Sequence, residues 1–292
     1  MHAAASNRER TPGTRSARVR LDQLVLDRGL APSRTRAQAL ILAGKIRTGV
    51  GDAGRLDRKA GDLVDARLEV VLLEPSPYVS RGGHKLEAAL DAFGIDPRDA
   101  VCLDVGASTG GFTDVLLQRG AGRVYALDVG RGQLAETLRR DPRVDSMERT
   151  NARGITASTL PEPITIATID VSFISLRLVL GPIASAFGPA GGAIVALVKP
   201  QFEAGRGQVS GGVVRDPAVH RATVERVVAA AAELGLVALD CIASPILGPE
   251  GNREFLVHLV VPGADGLADG PGRRVDPTVL QRIAAITEGA VP

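Results

Sequence analysis

The stretch Val101-Cys-Leu-Asp-Val-Gly-Ala-Ser-Thr-Gly-Gly-Phe-Thr113 joins a strand-like apolar run to a helical run, residues 114–119, that stops at Gly120. A glycine-rich turn between a strand and a helix lets the backbone approach a ligand closely at the carboxyl edge of a sheet. The stretch therefore predicts a binding site for a nucleotide-like ligand at the end of a strand.

Further strand-like runs alternate with helical patterns around this turn. The alternation predicts an α/β domain, a doubly wound Rossmann-like parallel sheet with helices on both faces. The strand-like runs are residues 100–105, 123–127, 164–169, 193–198, 237–243 and 255–261.

Two common ligands of such a turn can be tested by spacing. A P-loop requires Gly-x-x-x-x-Gly-Lys-Ser/Thr, and Gly106 and Gly111 fit this pattern, but Phe112 stands in place of the lysine. The dinucleotide fingerprint Gly-x-Gly-x-x-Gly is not matched by residues 106–111 either. Neither phosphate-binding loop fits the sequence.

The motif that begins at Asp104 resembles the first motif of S-adenosylmethionine-dependent methyltransferases, whose methyl donor carries no phosphate. The resemblance implies that Asp104 and the glycine turn hold the methionine end of the donor. Asp128 ends the next strand, 22 residues after Gly106, where a carboxylate can accept both ribose hydroxyls. If the two carboxylates only capped helices, their joint spacing with the turn would have no explanation. The predicted donor-binding residues are Asp104, Gly106, Ala107, Ser108, Gly110, Gly111, Phe112, Thr113 and Asp128.

Four charged residues stand at the ends of predicted elements, where a ligand crevice is expected. Lys85 opens a helix, Asp170 and Lys199 each end a strand, and Glu254 begins the last strand. Charges at strand ends collect in the crevice of a doubly wound sheet. Any one of these residues alone could be a helix cap or an ion-pair partner. The four together, which include two of only four lysines in the chain, favour a catalytic role.

The front of the chain is strongly basic. Residues 1–50 contain ten lysines and arginines against three acids, a charge of +7, whereas the whole chain carries +2. A basic front on a mildly acidic body indicates a module that binds a polyanion. The alternative is a solvated arginine-rich tail in a chain that favours arginine throughout. Residues 1–17 themselves are polar and are predicted to form a disordered tail.

Two helices are predicted after this tail. Leu21, Leu24 and Val25 lie at helical spacing, and Ser33 is placed to cap a second helix. Strand-like runs follow at residues 45–50 and 62–73. A two-helix unit with small strands and a clustered basic face suits RNA that is held through phosphates and shape. The predicted RNA-binding residues are Arg20, Arg34, Arg36, Gln38 and Lys45.

Residues 20–45 resemble the small α+β RNA-binding domain first seen in the fourth small-subunit ribosomal protein, the S-four-type domain. We therefore predict this domain at residues 18–73 and a linker stiffened by Pro75 and Pro77 at residues 74–80. A methyltransferase domain is predicted at residues 81–262. A C-terminal tail with a short helix, to which we assign no role, is predicted at residues 263–292.

Taken together, the motifs resemble the FtsJ-like ribose methyltransferases, and specifically the TlyA (hemolysin-like) family. The motifs are Arg81-Gly-Gly-His-Lys-Leu86, the turn that begins at Asp104, Asp170-Val-Ser-Phe-Ile-Ser175 and Val198-Lys-Pro-Gln-Phe-Glu203. The family carries a Lys-Asp-Lys-Glu tetrad, which falls here on Lys85, Asp170, Lys199 and Glu254. The resemblance implies S-adenosylmethionine-dependent methylation of a ribose 2′-hydroxyl in ribosomal RNA, with cytidine as the target. Lys199 would act either as a base or as a group that positions the hydroxyl.

Three other functions are alternatives. RNA base methylation is disfavoured because Asp170-Val-Ser-Phe173 differs from the Asn/Asp-Pro-Pro-Tyr pattern of many amino-group methyltransferases. A membrane-lytic activity, which the family name records, finds little support because the sequence has no long apolar or strongly amphipathic basic segment. A non-catalytic RNA-binding factor would fit a tetrad with missing members, but all four positions are filled.

The remaining composition excludes other classes of site. Two distant cysteines rule out a disulfide scaffold, and four scattered histidines without a His-Glu-x-x-His motif predict no metal site. We expect a cytoplasmic protein without stable membrane association, whose partners are ribosomal RNA or ribosomal subunits. The sequence does not define the oligomeric state.

Overall fold

The computed structural model describes residues 17–42, 44–49, 54–55, 58–73, 76–248, 251–264 and 275–288. The chain divides into two compact units, residues 1–75 and 76–292. All but the last residue of the predicted disordered tail lies outside the described residues, and so do Glu74 and Pro75 of the predicted linker.

The first unit pairs two helices with two small antiparallel sheets. Strand β1 pairs with β3, and β2 pairs with β4. The Oγ of Ser33 accepts the backbone N–H of Arg36, so the predicted helix cap is confirmed. The sequence did not predict β1. The elements are β1 (Arg18–Arg20), α1 (Leu21–Asp27), α2 (Arg34–Leu42), β2 (Ile46–Thr48), β3 (Leu63–Asp65) and β4 (Val70–Leu72).

The core of the first unit lies where the two helices face each other. Leu21, Leu24 and Val25 of α1 are buried, and they share a cluster with Ala37 and Ile41 of α2. Residues three and four apart lie on one face of a helix, so each helix presents a single apolar stripe to its partner. The facing apolar stripes therefore form the core of this unit.

The second unit is built on a seven-stranded sheet within the described residues, in the order β10-β11-β9-β8-β5-β6-β7. Two buried clusters cover the two faces of the sheet, as a doubly wound fold requires. The predicted fold class is confirmed. The strands are β5 (Val101–Val105), β6 (Arg123–Leu127), β7 (Val144–Met147), β8 (Ile166–Ile169), β9 (Gly192–Val198), β10 (Val237–Ala243) and β11 (Phe255–Val261).

The helices of the second unit connect these strands. The sequence missed β7, because this short edge strand is half-buried and carries polar residues in place of an apolar run. The helices are α3 (Gly82–Phe93), α4 (Gly111–Gln118), α5 (Glu136–Arg139), α6 (Leu180–Ala184), α7 (Pro200–Glu203), α8 (Pro217–Glu233) and α9 (Pro277–Glu288).

The prediction of a parallel sheet is wrong for one strand. Strand β11 runs antiparallel to both of its neighbours, β9 and β10. Phe255, the first residue of β11, pairs with Val198, the last residue of β9. The start of β11 therefore lies at the same edge of the sheet as the ends of the parallel strands, and Glu254 stands at this edge.

The structure also bears on the two ends of the predicted methyltransferase domain. Tyr78 is buried and donates a hydrogen bond to Glu87, while the backbone N–H of Val79 donates to Asp114. Residues 76–80, predicted as linker, thus pack on the second unit. Helix α9, in the predicted tail, packs against α8 and β10 with Val279 buried.

No helix among the described residues has both the length and the apolar character needed to cross a membrane.

Candidate active site

The glycine turn after β5 allows two other segments to approach it closely. Gly106 has a φ of +83°, and a Cβ there would collide with the carbonyl oxygen of Asp170 at the end of β8. A Cβ at Gly111 would collide with the Oγ of Ser80, just before α3. Glycine is required at both positions, because only a residue without a side chain leaves room for these neighbours. The turn thereby brings β8 and the start of α3 to one place.

Two cavities meet at this turn, and they share Gly106, Ser108 and Asp170. The lysine cavity has a volume of about 290 Å³, and its lining includes Lys85, Lys199 and Asp170. The Asp128 cavity has a volume of about 440 Å³, and its lining includes Asp128 and the segment that follows Asp170. Because the cavities adjoin, a ligand held in one can present a group to the other.

Asp128 is tied to the glycine turn by its own carboxylate. One oxygen accepts the backbone N–H of Ser108 at 2.8 Å, and the other accepts the backbone N–H of Gly130 at 2.6 Å. Each carboxylate oxygen can accept more than one hydrogen bond, so both keep acceptor capacity for a ligand in the cavity. This arrangement suits a pair of ribose hydroxyls.

The sequence missed part of the Asp128 cavity. Gln133, Asn151, Ala152 and Arg153 also line it. The last three follow the end of β7, at the same sheet edge as the glycine turn. A prediction of β7 would have pointed to them, because residues after a parallel strand reach the ligand crevice.

Asp104 is the residue predicted to hold the methionine end of the donor. Its carboxylate is fully buried beneath the turn and accepts hydrogen bonds from the hydroxyls of Thr113 (2.6 Å) and Thr168 (3.1 Å). Burial raises the pKa of Asp104 to about 6. Asp104 lines neither of the two cavities; it joins β5, α4 and β8 below them.

Of the other eight predicted donor-binding residues, two line neither cavity and six line at least one. Gly110 and Thr113 lie behind the turn with Asp104 and line neither cavity. Six of the nine predicted residues do line one or both cavities: Gly106, Ala107, Ser108, Gly111, Phe112 and Asp128.

The four predicted catalytic residues form two ion pairs. The Nζ of Lys85 lies 2.5 Å from Oε2 of Glu254, and the Nζ of Lys199 lies 2.5 Å from Oδ1 of Asp170. The first pair is buried, whereas the second is partly exposed at the lysine cavity. Lys85, Asp170 and Lys199 line that cavity together, and Glu254 stands behind Lys85. The structure thus brings all four residues to one edge of the sheet.

Each of these residues is placed by the end of an element. Lys85 lies in the first turn of α3, Asp170 follows β8, and Lys199 precedes α7 directly after β9. Glu254 reaches the same edge only because β11 is antiparallel to β9. The described part of the chain contains no group of three or more His, Cys, Asp and Glu side chains that could hold a metal ion.

Two phenylalanines lie beside this site. Phe173, three residues after Asp170, is 90% exposed, and its ring centroid lies 4.9 Å from that of Phe202 in α7. Phe173 is therefore not part of the core. Tyr125 and Phe112 are buried. The site therefore presents one aromatic face to solvent.

Three of the predicted RNA-binding residues meet at one buried carboxylate in the first unit. Asp22 accepts hydrogen bonds from Arg20 (2.9 Å), Arg34 (3.1 Å) and Gln38 (2.8 Å). Asp22 is fully buried, whereas the side chains of Arg20 and Arg34 remain 44% and 47% exposed. The Arg20 guanidinium above all holds the pKa of Asp22 well below its usual range, against the effect of burial.

The sequence did not single out Asp22, because a lone aspartate near a helix start gives no signal of its partners. The carboxylate anchors both guanidinium groups while leaving N–H donors for a ligand. Arg36 is exposed on α2 and Lys45 follows α2, and neither donates to Asp22. The structure therefore gathers three of the five predicted residues into one cluster.

Comparison with known proteins gives the family. The model of the FtsJ-like methyltransferase family matches residues 78–260, which is more than half of the chain, and that of the S4 domain matches residues 19–48. A Mycobacterium tuberculosis protein named 16S/23S rRNA (cytidine-2′-O)-methyltransferase TlyA is 48% identical over 243 residues, 83% of this chain and 90% of that protein. The chain belongs to the TlyA family of FtsJ-like methyltransferases.

Other TlyA-like proteins extend over similar lengths. Hemolysin A of Brachyspira hyodysenteriae is 41% identical over 246 residues, 83% of this chain and 100% of that protein. The solved structure of a candidate hemolysin from Streptococcus thermophilus has 41% identity and a TM-score of 0.69, and covers 92% of this chain and 95% of its own. The membership in the TlyA family that the motifs predicted is confirmed.

Proposed function

We propose that this protein transfers the methyl group of S-adenosylmethionine to a ribose 2′-hydroxyl of ribosomal RNA, with cytidine as the target nucleoside. One observation carries the proposal: Lys85, Asp170 and Lys199 line a cavity that adjoins the Asp128 cavity at the glycine turn. An acceptor hydroxyl beside the lysines would thus face a donor held against the turn. The name of the Mycobacterium tuberculosis relative supports the choice of ribosomal RNA and cytidine.

The residues of the two cavities fit S-adenosylmethionine. Asp128 would bind the ribose hydroxyls, and Gly106 and Ser108, which line both cavities, would contact the methionine part. Phe112 in place of a P-loop lysine suits a donor without phosphate. When bound, the donor supplies an electrophilic methyl group on a positively charged sulfur.

The residues of the protein would orient the acceptor hydroxyl and assist the removal of its proton. With the donor bound, the acceptor oxygen would form a bond to the methyl carbon as the carbon–sulfur bond breaks, and the electron pair of that bond would stay on sulfur. The hydroxyl proton leaves to Nζ of Lys199 or to solvent. If Lys199 is not the base, it aligns the hydroxyl and stabilises the developing alkoxide. Both roles need Nζ at the lysine cavity, and Lys199 lines this cavity.

The acceptor RNA would contact both units. The exposed ring of Phe173 offers a stacking surface for an unpaired base next to Lys199. The half-exposed guanidinium groups of Arg20 and Arg34 offer phosphate contacts in the first unit. Stacking and phosphate contacts together suit a structured RNA with an accessible nucleotide.

The test is methyl transfer from a labelled donor to ribosomal subunits that lack the modification. We expect the label on a ribose 2′-oxygen, mapped by resistance of that position to alkaline cleavage. Label on a base would instead support base methylation. Vesicle lysis without label in RNA would support the membrane-lytic alternative.

Changing Lys199 tests the assignment of the site. We expect Lys199→Ala to lower the rate of methyl transfer by at least about a hundredfold, because it removes the group next to the acceptor oxygen. Donor affinity, measured by calorimetry, should stay within about twofold, since Lys199 lies outside the Asp128 cavity. Retained turnover would remove Lys199 from the mechanism.

Lys199→Arg is the matched variant. It keeps the positive charge but cannot accept a proton at neutral pH. Partial activity of this variant would support alignment of the hydroxyl, and a loss equal to that of Lys199→Ala would support proton acceptance.

A further inference from the structure

Ser172 contacts the candidate catalytic lysine. Its Oγ accepts a hydrogen bond from Nζ of Lys199 at 2.9 Å, and its side chain is otherwise exposed at the rim of the Asp128 cavity. We propose that Ser172 is a positioning residue that aims Nζ of Lys199 at the acceptor hydroxyl. This inference rests on the proposed ribose methylation.

The geometry of a tetrahedral nitrogen explains the role. Besides its bond to carbon, the Nζ of Lys199 has three directions available for hydrogens or a lone pair. Nζ forms an ion pair with Oδ1 of Asp170 at 2.5 Å, and one of its N–H groups donates to Oγ of Ser172. The hydrogen bond to Ser172 limits rotation about the bond between Cε and Nζ, so a remaining N–H or lone pair of Nζ is held for the lysine cavity that Lys199 lines. Without Ser172 the nitrogen can rotate about its contact with Asp170.

Ser172 is itself held in place through α7. The buried carboxylate of Glu203 accepts the Oγ–H of Ser175 and the backbone N–H of Leu176, both at 2.7 Å. Glu203 lies four residues after Lys199, at the other end of α7. The segment 170–175 is therefore held at both ends. Lys199, which directly precedes α7, contacts Asp170 and Ser172, and Glu203 of α7 contacts Ser175.

The backbone of this segment is strained next to Ser172. Phe173 has a φ of +64°, in the left-handed region that a bulky residue rarely adopts. Strain of this kind persists where surrounding contacts hold it, and it is concentrated at functional sites. The conformation sends the ring of Phe173 to solvent while the hydroxyl of Ser172 reaches Lys199. The exposed ring of Phe173 and the hydroxyl of Ser172 both lie at the candidate site.

A purely structural role for this hydroxyl is disfavoured by its exposure. Ser172 is not part of a buried cluster, so its truncation to alanine leaves no cavity in a core. Its hydroxyl bonds to the one lysine that shares a cavity with both Lys85 and Asp170. A change at Ser172 should therefore act on the reaction and leave folding intact.

The experiment measures methyl transfer by the full-length chain to unmodified ribosomal subunits. We expect Ser172→Ala to lower kcat about tenfold, with the KM values for donor and subunits within about twofold of the original. Ser172→Thr, which keeps the hydroxyl, should restore most of kcat. The control is Ser185→Ala, which removes an exposed serine hydroxyl at the end of α6 and should leave kcat unchanged.

The outcomes separate this inference from the proposed function. If the original chain methylates ribose and Ser172→Ala matches Ser185→Ala, the positioning role is wrong and the proposed function stands. A loss in Ser172→Ala that threonine does not restore also overturns the role of the hydroxyl. If the original chain transfers no methyl group to ribose, both proposals fail.

Discussion

Asp104 combines a place in the predicted donor-binding motif with complete burial. The resemblance placed it on the methionine end of the donor, yet its carboxylate is fully buried and bonded to two threonine hydroxyls. Burial opposes the charged form and raises the pKa of Asp104 to about 6. Asp104 therefore supports the glycine turn from below, and its titration is linked to stability.

We predict that ionisation of Asp104 lowers the stability of the protein between about pH 4 and about pH 6. In this range the folded state keeps the proton while the unfolded state, with its pKa near 3.9, has lost it. Stability from this group is thus greatest below about pH 4, falls as pH rises, and is lost above about pH 6. The loss is at most about 3 kcal/mol, at about 1.4 kcal/mol for each unit of pKa.

Urea denaturation across this pH range is the measurement, with Asp104→Asn as the comparison. Asparagine does not titrate. A plot of the free energy of unfolding against pH should therefore fall less steeply for Asp104→Asn than for the original protein between about pH 4 and about pH 6. Parallel pH profiles for the two proteins would show that Asp104 does not ionise as described.

At the scale of elements, the direction of β11 decides where Glu254 lies. The start of a parallel strand would have put this residue at the opposite edge of the sheet from Asp170 and Lys199. The antiparallel direction puts it beside Lys85. The sequence of β11 is an apolar run like those of the parallel strands, so its direction had no local signal.

Helix α9 is a second element whose role the sequence did not indicate. Ile283 of α9 is fully buried in the cluster that covers one face of the sheet, next to α8 and β10. We predict that Ile283→Ala lowers the free energy of unfolding by about 2–4 kcal/mol, because it leaves a cavity in this cluster. Urea denaturation of the full chain measures the effect.

Gln281→Ala is the control for this prediction. Gln281 is exposed on the same helix, so its truncation should change the free energy of unfolding by less than about 0.5 kcal/mol. Equal stability of the two variants would mean that α9 does not contribute to the core.

At the scale of the whole molecule, the separation of charge between the two ends of the chain is the main feature. The first 50 residues carry +7 within a chain of +2, and two arginines of this part, Arg20 and Arg34, bond to Asp22. The candidate reaction site lies in the second unit. The predicted RNA-binding residues and the candidate reaction site therefore belong to different units of the chain.

We predict that Arg34→Ala weakens RNA binding and makes it less dependent on salt. Each phosphate contact that is lost should reduce the slope of log affinity against log salt by about 1. Binding of the unmodified ribosomal subunit at several salt concentrations measures this slope. The matched control is Arg98→Ala, an exposed arginine of the second unit paired with Asp96, which should leave the slope unchanged. An unchanged slope in Arg34→Ala would place the phosphate contacts elsewhere.

The local features of this protein were predictable from its sequence. Apolar periodicity predicted most of the strands, and it predicted both helices of the first unit. The glycine turn predicted the position of the ligand crevice. Both kinds of signal depend on residues that are near neighbours in the chain. The four charged residues could be identified because each stands at the end of a predicted element.

The contacts that arrange the site were decided only by the tertiary structure. Lys85 and Glu254 are 169 residues apart in sequence, and Ser172 is 27 residues from Lys199. Their pairing depends on the order and direction of strands, as the burial of Asp104 depends on what packs over it. Long-range packing of this kind has no signature in any single stretch of sequence. The sequence therefore determined which residues could react, and the fold determined which of them meet.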